Sequence, residues 1–474
     1  MHRKSDWRIV SRLFLLALIQ ISLAASPAWA GTAAPTVESR LAALEAKANA
    51  ASGIDSGDNA WLLVSSALVL MMSAPGLILF YGGLVRQKNV LGTMMHSLVL
   101  MGLVSVLWVV FGYSMAFGDG NAFCGNPFQH FMLRGVGVEP NPDYGPTVPA
   151  ESFMLFQMMF AIITPALISG AVAERMKFSA WLLFTVLWVT FVYFPLAHMV
   201  WGKGGWFNWA LGGTIPVLDF AGGTVVHISS GVSALVCAVV LGKRLGYPRE
   251  PMPPHNVVLS LIGTGLLWVG WFGFNAGSAV NAGKLATSAF AATHFSASAA
   301  ALSWAFCEWW LKGKPSLLGA ASGMVAGLAT ITPASGFVSI PAALMIGLAA
   351  GAACYFAVSR LKARFGYDDS LDVFGVHGVG STLGMLMLGF LASAVINPAV
   401  AVTWQPHGQP VSLAGGLGQF VNQFKGVVFT IIFAGAATFV ILKVVNALVG
   451  LRMSEEEETL GLDLSQHGES AYND

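Results

Sequence analysis

Charge is scarce in this chain. Of 474 residues, only 10% are Asp, Glu, Lys or Arg, and the signs nearly cancel to a net +1. Such a balance offers no electrostatic footprint for nucleic acid. Cysteine is scarcer still. Cys124, Cys237, Cys307 and Cys354 lie far apart, with no CxxC pair and no ligand spacing. That excludes a disulfide framework and a cysteine-built metal centre, and leaves packing as their role. Long polar stretches are also missing. Past Trp61, the segments outside the apolar runs, among them 118–150, 201–218 and the tail from Arg452, are short and leave no room for a soluble enzymatic or signalling domain.

What is present is apolar. Hydrophobic residues make up 55% of the chain and the mean hydropathy is +0.69, more than a soluble core requires. The 54 glycines suit close helix–helix approach in lipid. Residues 1–30 read as a signal peptide: MHRKSDWR is a basic n-region, LFLLALIQISLAA an apolar h-region, and Ala28-Trp29-Ala30 a cleavage site. Residues 31–59 form an N-terminal extension on the exported side. Within it, Val37, Leu41, Leu44, Ala48 and Ala51 alternate at four–three spacing, a heptad seam too short to be stable alone. A surface helix and an oligomerisation peg are both open readings.

From Trp61 onward, eleven apolar runs of roughly 20 residues can each span a bilayer. They cover 60–84, 90–117, 152–172, 179–200, 219–241, 256–278, 285–311, 316–334, 337–358, 371–394 and 422–448. Alternate loops carry Arg86/Lys88, Arg175/Lys177, Lys243/Arg244/Arg249, Lys312/Lys314, Arg360/Lys362/Arg364 and Arg452, against only Arg134, Lys203, Lys284 and Lys425 in the other set. The positive-inside rule makes the first set and the 452–474 tail cytoplasmic and the N-terminus periplasmic. The fold class expected is therefore an all-α polytopic membrane protein with a membrane domain over 60–451.

Two histidines fall inside these spans: His227 in LDFAGGTVVHIS and His377 in LDVFGVHGVG. Ionisable groups at membrane depth are costly, and each is a functional-site candidate for that reason. On a helix, Asp219 to His227 covers about 12 Å and Asp372 to His377 about 7.5 Å, so both histidines approach the middle of a core about 30 Å thick. The two LD…G…H segments run in opposite directions. Ile163-Thr164-Pro165-Ala166 likewise echoes Ile331-Thr332-Pro333-Ala334. The pattern suggests two inverted five-helix repeats plus an eleventh helix, with a site at their interface. From the residues alone, the histidines fit a pore lining, a satisfied core pair, or haem or metal ligands. Two ligands without further Cys, His or carboxylate partners make a poor metal site.

Several long segments carry a resemblance: PGLILFYGGLVRQKNVL (75–91), SGAVAERMKFSAW (169–181), AHMVWGKGG (197–205), LDFAGGTVVHISSG (218–231), WVGWFGFNAGSA (268–279), GKPSLLGA (313–320), DVFGVHGVGS (372–381) and GLDLSQHGESAY (461–472). In these the chain resembles the bacterial ammonium transporters of the Amt/Mep/Rh superfamily over nearly its whole mature length. The resemblance implies a homotrimer in the bacterial inner membrane with one pore per subunit, and ammonium or ammonia as substrate with methylammonium as its analogue. It also implies docking of the signal-transducing PII protein on the cytoplasmic face, and no cofactor.

By the same resemblance, Phe156, Trp201 and Ser278 wall a vestibule that recruits the cation, Phe160 and Phe274 stack as a gate beneath it, and His227 and His377 line the lumen. Without the resemblance, Trp201 reads equally as an interfacial belt residue, and the phenylalanines as packing. Asp219 and Asp372 open their spans, where a carboxylate meets the positive end of the helix dipole; Asp219 reads as a cation ligand or a cap, the resemblance implies that it orders the vestibule without touching substrate, and both are expected to cap. The acidic run Glu455–Glu458 is expected to pack under the basic loops. The rival functions are a carrier of another small amine or gas, a membrane haem protein built on the two histidines, and a sensor.

Overall fold

The computed structural model describes residues 53–401 and 411–472. The expected signal peptide and heptad seam lie outside the described residues. What is described is overwhelmingly helical, with one antiparallel ribbon pairing Pro140–Asn141 with Gly145–Pro149. The helices are α1 (Ser56–Leu84), α2 (Gln87–Phe117), α3 (Ala150–Val172), α4 (Phe178–Trp201), α5 (Gly223–Leu241), α6 (Val257–Gly277), α7 (Lys284–Lys312), α8 (Leu317–Ile331), α9 (Ile340–Phe365), α10 (Phe374–Leu391) and α11 (Leu417–Val449).

Among the described residues, nine of these are long and apolar enough to cross a membrane. The two that fall short do so for different reasons. α7 is 29 residues long but rich in Ala, Ser and Thr, with His294 and Glu308 inside it. α8 is apolar but ends after 15 residues. Its end comes where Pro333 removes a backbone donor and crowds the preceding turn. The ITPA echo therefore splits, because Pro165 stays inside α3.

α3 and α5 are the most deeply buried of the spanning helices, and α2 and α11 the most exposed. Buried Trp108, Trp181, Trp188 and Trp271 belong to one large apolar cluster that unites most of the helices. α5 and α10 approach each other closely through glycine. A Cβ on Gly231 would stand 2.3 Å from the backbone nitrogen of Gly378 and 2.5 Å from its Cα. Only glycine lets the two backbones touch there. The contact sits one residue past His377 and about one turn past His227.

The opposite end of the bundle from Trp201 is closed by charge. Buried Glu174 accepts from the Arg86 backbone (2.8 Å) and guanidinium (2.6 Å) and from Arg244 (3.4 Å). Buried Asp368 accepts from the Arg244 backbone (2.8 Å) and guanidinium (2.9 Å), with Arg175 at 3.8 Å. Burial alone would raise both carboxyls, but the arginines outweigh it and hold them below the ordinary carboxylate range. Glu174 sits at φ 71, a left-handed conformation that the surrounding ion pairs hold in place.

The tail straps this end. Glu458, in a short helix over Glu455–Leu460 that opens with a Ser454/Glu457 capping box, binds Arg452 (2.7 Å) and the Leu245 amide (2.8 Å). Lys88 donates to the Glu458 and Thr459 carbonyls, and the Asp463 carboxylate accepts from Gly92 at the start of α2 (2.8 Å). Of the acidic run, Glu458 alone is buried; Glu455 and Glu456 face outward.

The glycine crossing generates a test. Gly231→Ala forces a methyl against the Gly378 backbone, and overpacking of that kind costs about 1–3 kcal/mol. Gly102→Ala, with nothing within 4 Å of its Cβ, is expected to leave stability unchanged. Thermal unfolding of the two purified variants in one detergent checks the contrast; equal midpoints would remove the crossing as a constraint.

Candidate functional site

Asp219 builds the start of α5. Its carboxylate accepts the backbone N–H groups of Gly222 (2.8 Å), Gly223 (2.6 Å) and Thr224 (2.7 Å), and the Thr224 hydroxyl. Four donors occupy the lone-pair sites of one carboxylate, so Asp219 is consumed in making the turn. The turn also needs Gly222 at φ 114, a conformation closed to most side chains. Trp201, the last residue of α4, donates its indole N–H to the Asp219 carbonyl (3.1 Å). Ser278, just past α6, donates to the Phe274 carbonyl (2.8 Å), which leaves its oxygen free to accept.

Trp201, Ser278, Asp219 and Phe160 share the wall of a cavity of about 320 Å³. At its floor, the Phe160 and Phe274 rings lie 4.2 Å apart at 31°, with Phe160 edge-on to Trp201 at 6.1 Å. Phe156 departs from the expected place. It is fully buried and is not on this cavity's wall. Its ring meets the edge of Phe160 at 4.9 Å and fills the notch left by Gly277, where a Cβ would lie 2.8 Å from it.

Beyond the phenylalanines lies a cavity of only about 10 Å³, lined by Phe274, Trp271, His227, His377 and aliphatic side chains. That is near the smallest space able to hold a water. The two imidazoles are stacked at 5.2 Å and 14°, with their Nδ1 atoms 3.2 Å apart. This is a hydrogen-bond distance. One ring donates from Nδ1 to the other, and either can be the donor. Among the described residues, the Nε2 atom of His227 has no hydrogen-bond partner. A third cavity, of about 150 Å³ at the tail end, is lined by His377, Asp372, Tyr81 and Phe80. His377 thus faces both the small cavity and the tail-end one.

Both histidines sit in π-helical turns, His227 in Gly223–Ile228 and His377 in Phe374–Gly378. Such turns swing side chains out of helical register and recur at functional sites. Nothing in the residue pattern signals them. Trp271 was also missed: it stacks on His227 at 5.4 Å and is anchored through its N–H on the Thr332 hydroxyl (2.9 Å). Its position three residues before Phe274, on the same helix face, was the available clue.

Asp372 does not cap α10 as expected. It stands at φ 61 and its carboxylate binds Lys362 at 2.7 Å. Asp369 takes the cap instead, accepting from the Phe374 amide at 2.7 Å. The left-handed backbone at Asp372 turns its side chain away from the helix start and toward α9. Burial pushes the Asp369 carboxyl up to about 6 against the pull of Lys362, with Asp372 adding to the rise.

The sequence profile described as the Ammonium Transporter Family matches residues 60–472. An ammonium transporter of Aquifex aeolicus is 48% identical over 422 residues, covering 89% of this chain and 94% of that protein. One from Bacillus subtilis is 47% identical over 418 residues, covering 88% and 99%. The crystal structure of Saccharomyces cerevisiae Mep2 superposes with a TM-score of 0.76 at 34% identity, over 85% of this chain and 89% of that one.

The two aspartates should respond differently to loss of charge. Asp219→Asn breaks a buried cap of four donors and is expected to cost about 1.5–3 kcal/mol. Asp372→Asn removes one partly exposed ion pair, worth about 1 kcal/mol or less. Unfolding midpoints that rank the other way would show that the α5 cap is not a major support.

Proposed function

Because this chain belongs to the ammonium transporter family, we propose that it takes NH4+ from the periplasm at the Trp201 cavity, deprotonates it, and passes NH3, with the proton relayed, into the cytoplasm. The carrying observation is the His227–His377 contact at 3.2 Å inside a cavity of about 10 Å³. Magnitudes decide between carrying the ion and carrying the neutral molecule. Stripping all water from a small ion costs up to tens of kcal/mol on an idealised estimate. An indole face returns only about 0.5–2. Lowering an ammonium pKa costs about 1.4 kcal/mol per unit. Deprotonation is the cheaper route past Phe160 and Phe274.

In this reading Trp201 and Ser278 recruit the cation, the phenylalanine pair gates, and Phe156 holds Phe160 edge-on from behind. Asp219 shapes the entrance through the Trp201 indole. The two neutral imidazoles offer a donor and an acceptor along the lumen without a permanent buried charge. α7 and α8 complete eleven spans with the nine longer apolar helices. α1–α5 and α6–α10 form inverted repeats, and the tail lies in the cytoplasm of a bacterium whose inner membrane holds the protein. A homotrimer is the assembly, and the strapped tail face is where a PII protein docks.

Proteoliposomes test this through ammonium-induced current and potassium leak. Trp201→Ala is expected to raise the apparent KM by roughly 2- to 30-fold, the equivalent of one cation–π contact, and Phe274→Ala to alter mainly the maximal rate. His227→Asp places a negative charge in the lumen and should admit potassium. Replacing both histidines with leucine should abolish the current. Wild-type current in that double variant would sink the relay.

A further inference from the structure

Among the described residues, the Trp201 cavity has two charged groups on its wall, Asp219 and Asp143. Asp219 is consumed by its cap. Asp143 is different: it sits in the turn of the Pro140–Asn141/Gly145–Pro149 ribbon, with its side chain about one-third exposed. The turn is held without that carboxylate. The Asp143 amide donates to Asn141 Oδ1 (2.9 Å), and the neighbouring Tyr144 hydroxyl donates to the Phe117 carbonyl (3.0 Å) and accepts from the Lys203 amide (3.0 Å).

The Asp143 carboxylate has one cationic partner, and it is an ammonium group. Lys203, two residues past Trp201, places its Nζ 2.7 Å from Asp143 Oδ2. Lys203 is not on the cavity wall; it reaches the carboxylate from outside. The one other acidic group acting on it is Asp119, whose carboxylate is taken by Gln129 (2.9 Å) and is also off the wall. Among the described residues, an alkylammonium is therefore already seated on the one carboxylate of this wall that no cap consumes.

We propose that Asp143 is the outermost cation subsite of this protein, selective for ammonium and short primary alkylammonium ions in form, and that Lys203 is its tethered occupant. The subsite rests on the ammonium reading above. The lysine keeps the entrance near neutral and is displaced by substrate from the bulk. An exposed pair of this kind exchanges readily, since it is worth about 1 kcal/mol or less. Lys203 thus sets how strongly the mouth concentrates cations.

The test is ammonium transport by full-length protein in proteoliposomes at about 10 mM and about 500 mM salt, where the Debye length falls from about 30 Å to under 10 Å. Lys203→Gln is expected to lower the apparent KM about threefold at low salt, and Asp143→Asn to raise it about threefold. Maximal rates stay within the spread of the wild type, and both shifts vanish at high salt. The double variant should not bind more tightly than the wild type. A double variant whose KM falls as far as that of Lys203→Gln would show lysine repulsion without a carboxylate subsite, and overturn the proposal. So would an unchanged KM in Lys203→Gln, or a drop in maximal rate at both salts, which marks a merely structural ribbon clamp. Wild-type protein that moves no ammonium would bring down the functional reading and the subsite together.

Discussion

Two backbones in contact set the geometry of everything else. Where Gly231 of α5 meets Gly378 of α10, the helices approach to a distance that no side chain survives. Two imidazoles from opposing helices can then share a hydrogen bond at 3.2 Å. Had Gly231 carried a methyl group, it would meet the Gly378 backbone, the helices would part, and the Nδ1 atoms would leave hydrogen-bond range with them. In a membrane no hydrophobic drive pushes helices together, so small residues at the crossing supply the approach through packing.

Each of these helices reaches its crossing from a start held by a carboxylate. α5 begins on Asp219, which gathers four donors, and α10 on Asp369, which accepts from Phe374. The histidines follow within the first turns, in π-helical geometry. A rigid cap, a wide turn and a glycine contact act in series. The caps fix where each helix begins, the π turn aims the imidazole, and the glycines fix the separation. At the tail end, Glu174, Asp368 and three arginines hold the other termini without leaving a buried charge unpaired.

Much of this was legible in the residues, because the chemistry is sparse. In an apolar chain the few histidines and aspartates inside spans stand out; Trp201 and Phe160 share the wall of one cavity, and Phe274, His227 and His377 that of another. Local backbone geometry was not legible. A left-handed residue at Asp372 transfers the cap to Asp369, and no pattern of residue types announces it. Phe156 has the right residue type and helix face, but Gly277 opposite draws its ring off the wall. The apolar-run reading also overextended α8, whose Pro333 ends the helix even though the hydropathy continues.

The smallness of the central cavity has a consequence for traffic. About 10 Å³ is room for the centre of roughly one water-sized molecule. A guest there excludes water, and water there excludes a guest. Under the proposed function, passage is therefore single-file with an occupancy of zero or one, and each molecule exchanges solvent for the walls alone. Water and substrate then compete for that one place, and the rate at which either crosses is set there however wide the two mouths are.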